Sequence, residues 1–259
     1  MMPVEAIAQS NIQLYGQLQR RGYGSTDISD VTRAYRLAQQ LFSARFRGSG
    51  RPFLCHLVGT ASILVRDAAP VHEVTAGLLH AAYSAGLFAF DMHQHLSDRK
   101  RAVVRGVAGA EAEALIAAYH GLPWNHAMLA SLVDNTATAH QAVLRLRLAN
   151  ELDDLADNGL LFSGKAKRSL VDSDESRRLL ALLASRSGMP ALEEELQAAL
   201  ADFEEQTVTI LPVPAAVGRA YSYTLLPPSS RERLSYRLSI LRRKMGRRLR
   251  RLGVETGAQ

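Results

Sequence analysis

The chain has 259 residues, 47% of them hydrophobic, so it is long enough to bury one large core. Its single cysteine, Cys55, excludes an internal disulfide and a structural zinc site built from several cysteines. The net charge of +6 is unevenly spread, because residues 231–251 are net +9 and the rest of the chain is therefore net −3. The sequence shows no signal-peptide pattern and no apolar run of about 18 residues, so we expect a cytoplasmic protein.

Hydrophobic residues recur at helical spacing through most of the chain, which predicts an all-α fold. The first strong pattern covers residues 28–45. Pro52 suits the first turn of a central helix over 53–66, which is apolar on nearly every side and is therefore expected to be buried. Further helices are predicted over 71–83, 97–107, 109–120, 136–157, 172–186 and 190–206. Residues 207–226 are the one β-like stretch, and their prolines confine them to a sheet edge or a loop.

This pattern divides the chain into an N-terminal segment (1–27), a helical domain (28–165), a helical extension with its connecting segment (166–228) and a basic tail helix (229–259). In the tail, an apolar stripe at helical spacing alternates with arginines. Such a helix packs on the body or on a partner chain, lies on an anionic membrane surface as a peripheral contact, or binds nucleic acid through its phosphates. Its one aromatic residue, Tyr236, offers no stacking platform, so we expect no sequence-specific nucleic-acid binding.

Three helices that are predicted to be buried each carry a polar residue at an internal position: His56, His80 and Asn150. Burying such a group without a partner costs about 1–3 kcal/mol, so partners are expected. One interpretation is a metal site that the helices share. The other is a set of hydrogen-bonded core residues, which is the more frequent fate of a lone histidine on an apolar helix.

Three short motifs, taken in order, resemble the HD-type hydrolase domain of RelA/SpoT proteins. The first, RFRGSGRPFLCHLVGT at 45–60, matches the pattern Arg-x-Ser-Gly-x-Pro-aromatic-x-x-His through Arg47, Ser49, Gly50, Pro52, Phe53 and His56. The second, AGLLHAAY, places His80 where the family has His-Asp. The third, LANELDDL, aligns Asn150 with the aspartate of the family's Leu-Ala-Asp. The resemblance covers about residues 28–160 and implies an HD-like fold. It extends to small HD-like proteins of unassigned role that share His-x-x-Tyr, here His80 and Tyr83.

The departures from that family concern its carboxylates. The family holds a divalent ion, typically manganese, with two histidines and two aspartates, and a Glu-Asp pair activates the water that removes pyrophosphate from (p)ppGpp. Here Ala81, Ser84-Ala85 and Asn150 stand at those positions. Manganese and magnesium prefer carboxylate oxygens, and a general base is missing from its family position. The resemblance therefore predicts a degenerate domain that binds a nucleotide or another phosphorylated small molecule without the family's hydrolysis.

The alternative is a metalloenzyme, a phosphohydrolase or an oxygenase, with a rebuilt ligand set. Asp154 follows Asn150 by one helical turn and shares its face, and Tyr83 shares the face of His80. A set of His56, His80 and Asp154 suits a divalent ion such as zinc, iron or manganese. The competing interpretation is a solvated acidic face made of Glu151, Asp153, Asp154 and Asp157.

Arg47 and Ser49 are candidates for ligand binding, because the resembling domains place this loop against the guanine end of the nucleotide. An arginine side chain clamps phosphate or stacks on a base. Asn150 and Tyr83 are further candidate contacts to a ligand. The alternative is that Ser49 and Gly50 only shape a turn and that Arg47 is solvated. His93 and His95 have metal-like spacing without other support, and we interpret them as part of a loop.

Overall fold

A computed structural model describes residues 5–89, 96–135, 140–156, 160, 162, 170–171, 173–209 and 222–225. These residues are predominantly helical, with two short strands, which confirms the predicted all-α class. The chain divides into two compact units, Met1–Tyr223 and Thr224–Gln259. The tail predicted over 229–259 lies outside the described residues, as do His93, His95 and Asp157, so these expectations stay predictions.

In chain order the helices are α1 (Asn11–Arg20), α2 (Ser25–Phe42), α3 (Phe53–Arg66), α4 (Val71–Leu79), α5 (Ala82–Ala85), α6 (Asp98–Ala108), α7 (Ala110–Gly121), α8 (His126–Asp134), α9 (Gln141–Leu155), α10 (Asp174–Arg186) and α11 (Pro190–Thr209). Two two-residue strands, β1 (Arg45–Phe46) and β2 (Tyr223–Thr224), pair with each other. Among the described residues, no helix combines the length and hydrophobicity that crossing a membrane requires.

Helix α3 is the centre of the fold and has the bounds that the sequence predicts. It packs against α1, α4 and α9, and every residue from His56 to Val65 is buried. Leu57, Ala61 and Leu64 are completely covered. Because this helix is enclosed, its polar side chains depend on partners from neighbouring helices.

Helices α1 and α8 were not expected from the hydrophobic pattern. Helix α1 begins at a capping box, in which the Ser10 hydroxyl accepts from the Gln13 N–H and the Gln13 side chain accepts from the Ser10 N–H. Leu14 and Leu18 of this helix are fully buried. The N-terminal segment therefore contributes to the same core as the central helix.

Two predicted elements differ from the structure. The helix expected over 71–83 ends at Leu79, because the His80 ring bonds to the Gly77 carbonyl at 2.8 Å. In a continuous helix that carbonyl accepts from the N–H of residue 81. The β-like interpretation of 207–226 is wrong for residues 207–209, since α11 continues through Thr209. A helix that is already formed extends at little cost through a few β-branched residues.

Candidate metal centre

Helices α3 and α9 and the α4–α5 junction bring three polar side chains to one buried point. His56 and Asp153 are completely buried, and His80 is 2% exposed. The His56 Nδ1 lies 2.6 Å from Asp153 Oδ2, and the His56 Nε2 lies 3.2 Å from the His80 Nε2. The sequence-based expectation that His56 and His80 meet agrees with this geometry.

The hydrogen bonds fix how these two rings are oriented. The His80 Nδ1 faces a carbonyl oxygen, so it carries a hydrogen and donates to Gly77. The His56 Nδ1 donates in the same way to the Asp153 carboxylate. Both Nε2 atoms therefore point at each other with their Nδ1 atoms held by acceptors. Metal-binding histidines characteristically use one nitrogen for the ion and the other for a carboxylate or carbonyl.

The distance between the two Nε2 atoms fits a shared cation. Two nitrogens bound to a tetrahedral ion at about 2.1 Å stand about 3.4 Å apart, and the observed separation is 3.2 Å. A proton shared between the rings fits the same distance as a long N–H···N hydrogen bond. The donor set, two imidazoles beside carboxylates, suits a transition-metal ion such as zinc.

Two arginines hold the carboxylates of α9. Arg51 bonds to Asp153 with both terminal nitrogens, at 2.9 and 3.0 Å, and also donates to Gln9 and to the Cys55 carbonyl. Arg47 forms a close ion pair with Asp154. Asp154 Oδ1 also lies 3.7 Å from the His56 Nδ1. The site is thus a cluster of two carboxylates, two guanidinium groups and two imidazoles.

Gly59 makes room for the central carboxylate. It follows His56 by nearly one turn of α3, and a Cβ atom at this position would lie 1.8 Å from Asp153 Oδ1. No side chain fits there while Asp153 keeps its contacts. The missing side chain on α3 is what lets α9 place Asp153 between Arg51 and His56.

Three residues offer ligand atoms that lie within 4.8 Å of one another: His56, Asp153 and Asp154. Asp153 is already held by Arg51 and by the His56 Nδ1, which is the arrangement of an outer partner rather than of a ligand. Burial raises the pKa of Asp153 to about 6, against the lowering effect of Arg51. Asp153 and Asp154 both approach the Nδ1 side of His56, whereas His80 faces its Nε2 atom and is not part of this cluster among the described residues.

His80 is expected to make folding sensitive to acid. Burial, with His56 nearby, lowers the pKa of His80 to about 3, from 6.5 in an exposed chain. Below pH 6.5 the unfolded state therefore binds more protons, and stability falls as the pH falls, by at most about 1.4 kcal/mol per pH unit. Between pH 6.5 and 5 we expect the metal-free protein to lose about 2 kcal/mol more than His80→Gln in urea titrations. Parallel losses in the two proteins would contradict this.

The structure places the other predicted residues as follows. Asn150 is buried, and its amide donates to Glu151 at 3.1 Å. Ser49 is partly exposed in the turn between β1 and α3. The Tyr83 hydroxyl donates to the buried Glu113 at 3.0 Å, which also receives bonds from Arg101. Tyr83 is therefore part of a polar network between α5, α6 and α7.

The interpretation of the acidic run as a solvated face is wrong for its described members. Glu151 and Asp154 are 7% exposed and Asp153 is completely buried. Helix α9 is covered on several sides, because α3, α4, α7 and α11 all pack against it. The pattern of charges alone does not reveal this, since the covering helices come from distant parts of the chain.

Three contributors to the site were missed at the sequence level: Asp153, Arg51 and Tyr119. The Tyr119 ring lies edge-on to His80 with centroids 5.1 Å apart, and the Arg147 guanidinium lies 3.7 Å from the Tyr119 ring centre. Burial raises the pKa of Tyr119 to about 12, so it remains a neutral phenol. In the sequence, Gly59 lies three residues after His56 in an otherwise apolar helix. A glycine there indicates that another group approaches this face of α3 closely, and it was the signal that could have revealed Asp153.

Comparisons with known proteins give two similarities. Residues 38–123 match the family described as "Domain of unknown function (DUF6817)". A stretch of 176 residues is 26% identical to a "Probable GTP pyrophosphokinase" of Mycobacterium leprae (strain TN). That alignment covers 68% of this chain and 21% of the relative, so the chain spans about a fifth of the relative's length. The second similarity supports a relationship to RelA/SpoT-type proteins at the level of sequence.

Proposed function

We propose that this chain binds a transition-metal ion through His56 and His80 and, beside it, a phosphorylated nucleotide, without the hydrolysis of RelA/SpoT-type domains. The observation that carries the proposal is the pair of Nε2 atoms 3.2 Å apart, each ring held from behind by an acceptor. When bound, the ion would supply a positive charge that attracts phosphate oxygens.

The similarity to a probable GTP pyrophosphokinase supports a guanine nucleotide as the class of ligand. Arg47 and Arg51 lie beside the candidate metal ligands and are both partly exposed, at 14% and 25% of their side chains. Guanidinium groups are suited to phosphate oxygens because they donate two parallel hydrogen bonds. Ser49, between them in the turn, remains our candidate for a further contact.

Two substitutions support binding without hydrolysis. Ser84 and Ala85 stand where the resembling family has its Glu-Asp pair, and neither side chain accepts a proton from water at neutral pH. The Ser84 hydroxyl is directed at the Ala81 carbonyl at 3.3 Å. Release of pyrophosphate from GTP or ppGpp by the metal-loaded protein would instead favour the metalloenzyme alternative.

The metal content of the purified protein tests the proposal. We expect close to one equivalent of zinc, iron or manganese by elemental analysis after purification without chelator or after reconstitution. The His56→Ala/His80→Ala variant should lose the ion and keep its helical far-UV spectrum. A His72→Ala/His126→Ala variant serves as the matched control, because these histidines are partly exposed elsewhere and should retain the metal.

The opposite result is informative as well. If the wild-type protein binds none of these ions after reconstitution, the two rings share a proton, and the metal part of the proposal is wrong. Titration with a fluorescent guanine nucleotide would then show whether the ligand binds without an ion.

A further inference from the structure

The Tyr119 hydroxyl is a hydrogen-bonding group in the site that the described part of the protein does not use. The side chain is 8% exposed, and its hydroxyl forms no hydrogen bond to any residue that the structure describes. The hydroxyl is also not one of the fully covered polar atoms that lack a partner in these ranges of the chain, so an incoming group can reach it. A nearly buried hydroxyl without a protein partner is costly, which favours a bound molecule as its acceptor.

Two neighbours fix the position of the Tyr119 ring. The Arg147 guanidinium lies over it, with the central carbon 3.7 Å from the ring centre, and the His80 ring lies edge-on with centroids 5.1 Å apart. Arg147 also donates to the Tyr119 carbonyl and, at 2.6 Å, to the Leu122 carbonyl, where α7 ends. The direction of the hydroxyl is therefore set before a ligand arrives, as a preorganised contact requires.

The charged part of the site acts on this hydroxyl. The charges of Glu151, Asp154 and Arg47 all reach it, in addition to that of Arg147. Tyr119 thus belongs to the same cluster as Arg47, a candidate for binding phosphate oxygens. A phenol donates one hydrogen bond, and an anionic phosphate oxygen is a stronger acceptor than a neutral group.

We propose that the Tyr119 hydroxyl donates a hydrogen bond to a phosphate oxygen of the bound ligand, and that Arg147 positions the ring for this contact. The inference rests on the proposed function, because it concerns the same ligand. Tyr119 is then a binding residue. Arg147 is a positioning residue, since it is 9% exposed and is covered by the rings of Tyr119 and Trp124.

Removing one oxygen atom tests the contact. Tyr119→Phe keeps the ring beside Arg147 and His80. It should bind mant-GDP, a fluorescent guanine nucleotide, about tenfold more weakly than the wild type, because a hydrogen bond to a charged group is lost. Inorganic pyrophosphate, measured by displacement of mant-GDP, should lose affinity by the same factor, since the contact is to phosphate. The urea midpoint should not fall, because no hydrogen bond within the described part of the protein is removed.

Tyr23→Phe is the matched control. The Tyr23 hydroxyl donates to the Ala69 carbonyl at 2.6 Å, beyond the end of α3 that lies opposite His56. This variant should lower the urea midpoint and leave the mant-GDP affinity unchanged.

Arg147→Met tests the positioning role. It should weaken mant-GDP binding in the wild-type background and cause little further loss in Tyr119→Phe, because both changes act through the same hydroxyl. Equal losses in the two backgrounds would show that Arg147 does not act through Tyr119.

The outcomes separate the inference from the proposal beneath it. Equal mant-GDP affinities of the wild type and Tyr119→Phe overturn the inference and leave the nucleotide site standing. A loss for mant-GDP without a loss for pyrophosphate also overturns it, since the hydroxyl would then contact the nucleoside. A urea midpoint that falls as far as that of Tyr23→Phe would show that the protein itself uses the hydroxyl. If the wild type binds neither probe, with or without zinc, the proposed nucleotide site and the inference are both wrong.

Discussion

Asp153→Ala is expected to lower the free energy of unfolding by about 3–5 kcal/mol, the usual cost of removing one partner of a buried ion pair. The substitution leaves the Arg51 guanidinium and the His56 Nδ1 without the carboxylate that both contact. Since His56 is completely covered, water does not replace the lost acceptor. Urea-induced unfolding followed by circular dichroism measures the change.

The isosteric variant Asp153→Asn separates the charge from the shape. It fills the same space and keeps one acceptor oxygen, so its loss should be smaller than that of Asp153→Ala. Asp30→Ala is the matched control, because Asp30 is paired with Arg33 at the surface, and exposed pairs contribute about 0–1 kcal/mol. Equal losses in Asp153→Ala and Asp30→Ala would mean that the buried cluster does not stabilise the fold.

Gly59→Ala is expected to be nearly as harmful, at about 3 kcal/mol or more. The added methyl group would lie 1.8 Å from Asp153 Oδ1 and 2.7 Å from its Cγ. The carboxylate has to move, and its bonds to Arg51 and His56 are lost together. A Gly106→Ala variant in α6 is the control, because a Cβ there meets nothing within 4 Å, and it should stabilise by about 0.5–1 kcal/mol.

Combining the two substitutions tests the cause. In the Asp153→Ala background the carboxylate that collides with the new methyl group is absent, so Gly59→Ala should cost much less than it does alone. The coupling energy between the two sites should fall in the range of about 1–3 kcal/mol that is typical of residues in contact. Additive losses would show that Gly59 matters for another reason.

Helix positions could be predicted from the sequence where they depend on one continuous segment. The central helix from Phe53 to Arg66 follows from Pro52 and an unbroken apolar run, and its bounds agree with the structure. A site shared by His56 and His80 was one of two interpretations of these polar residues, and the structure places their Nε2 atoms 3.2 Å apart.

The residues that contact His56 in the site could not be predicted from the sequence in the same way. Asp153 lies 97 residues from His56 and 102 residues from Arg51, and no local pattern links such positions. The acidic run on α9 resembles a solvated surface because its burial comes from helices elsewhere in the chain. His80 ends α4 through a bond from its own side chain, which helix propensity does not include.

The turn that carries Arg47 is held from both ends of the folded unit. Gln9 accepts from Arg51 at 2.7 Å, while Ser222 accepts from Arg45 at 2.6 Å and the Tyr223 ring stacks on Phe46 with centroids 5.6 Å apart. The bond between Arg45 and Ser222 spans 177 residues. During synthesis on the ribosome, the contact to Ser222 therefore forms only after His56 and His80 have long emerged. Contacts of such long sequence separation also form slowly in refolding, so we expect the contacts that Ser222 and Tyr223 make with Arg45 and Phe46 to form late.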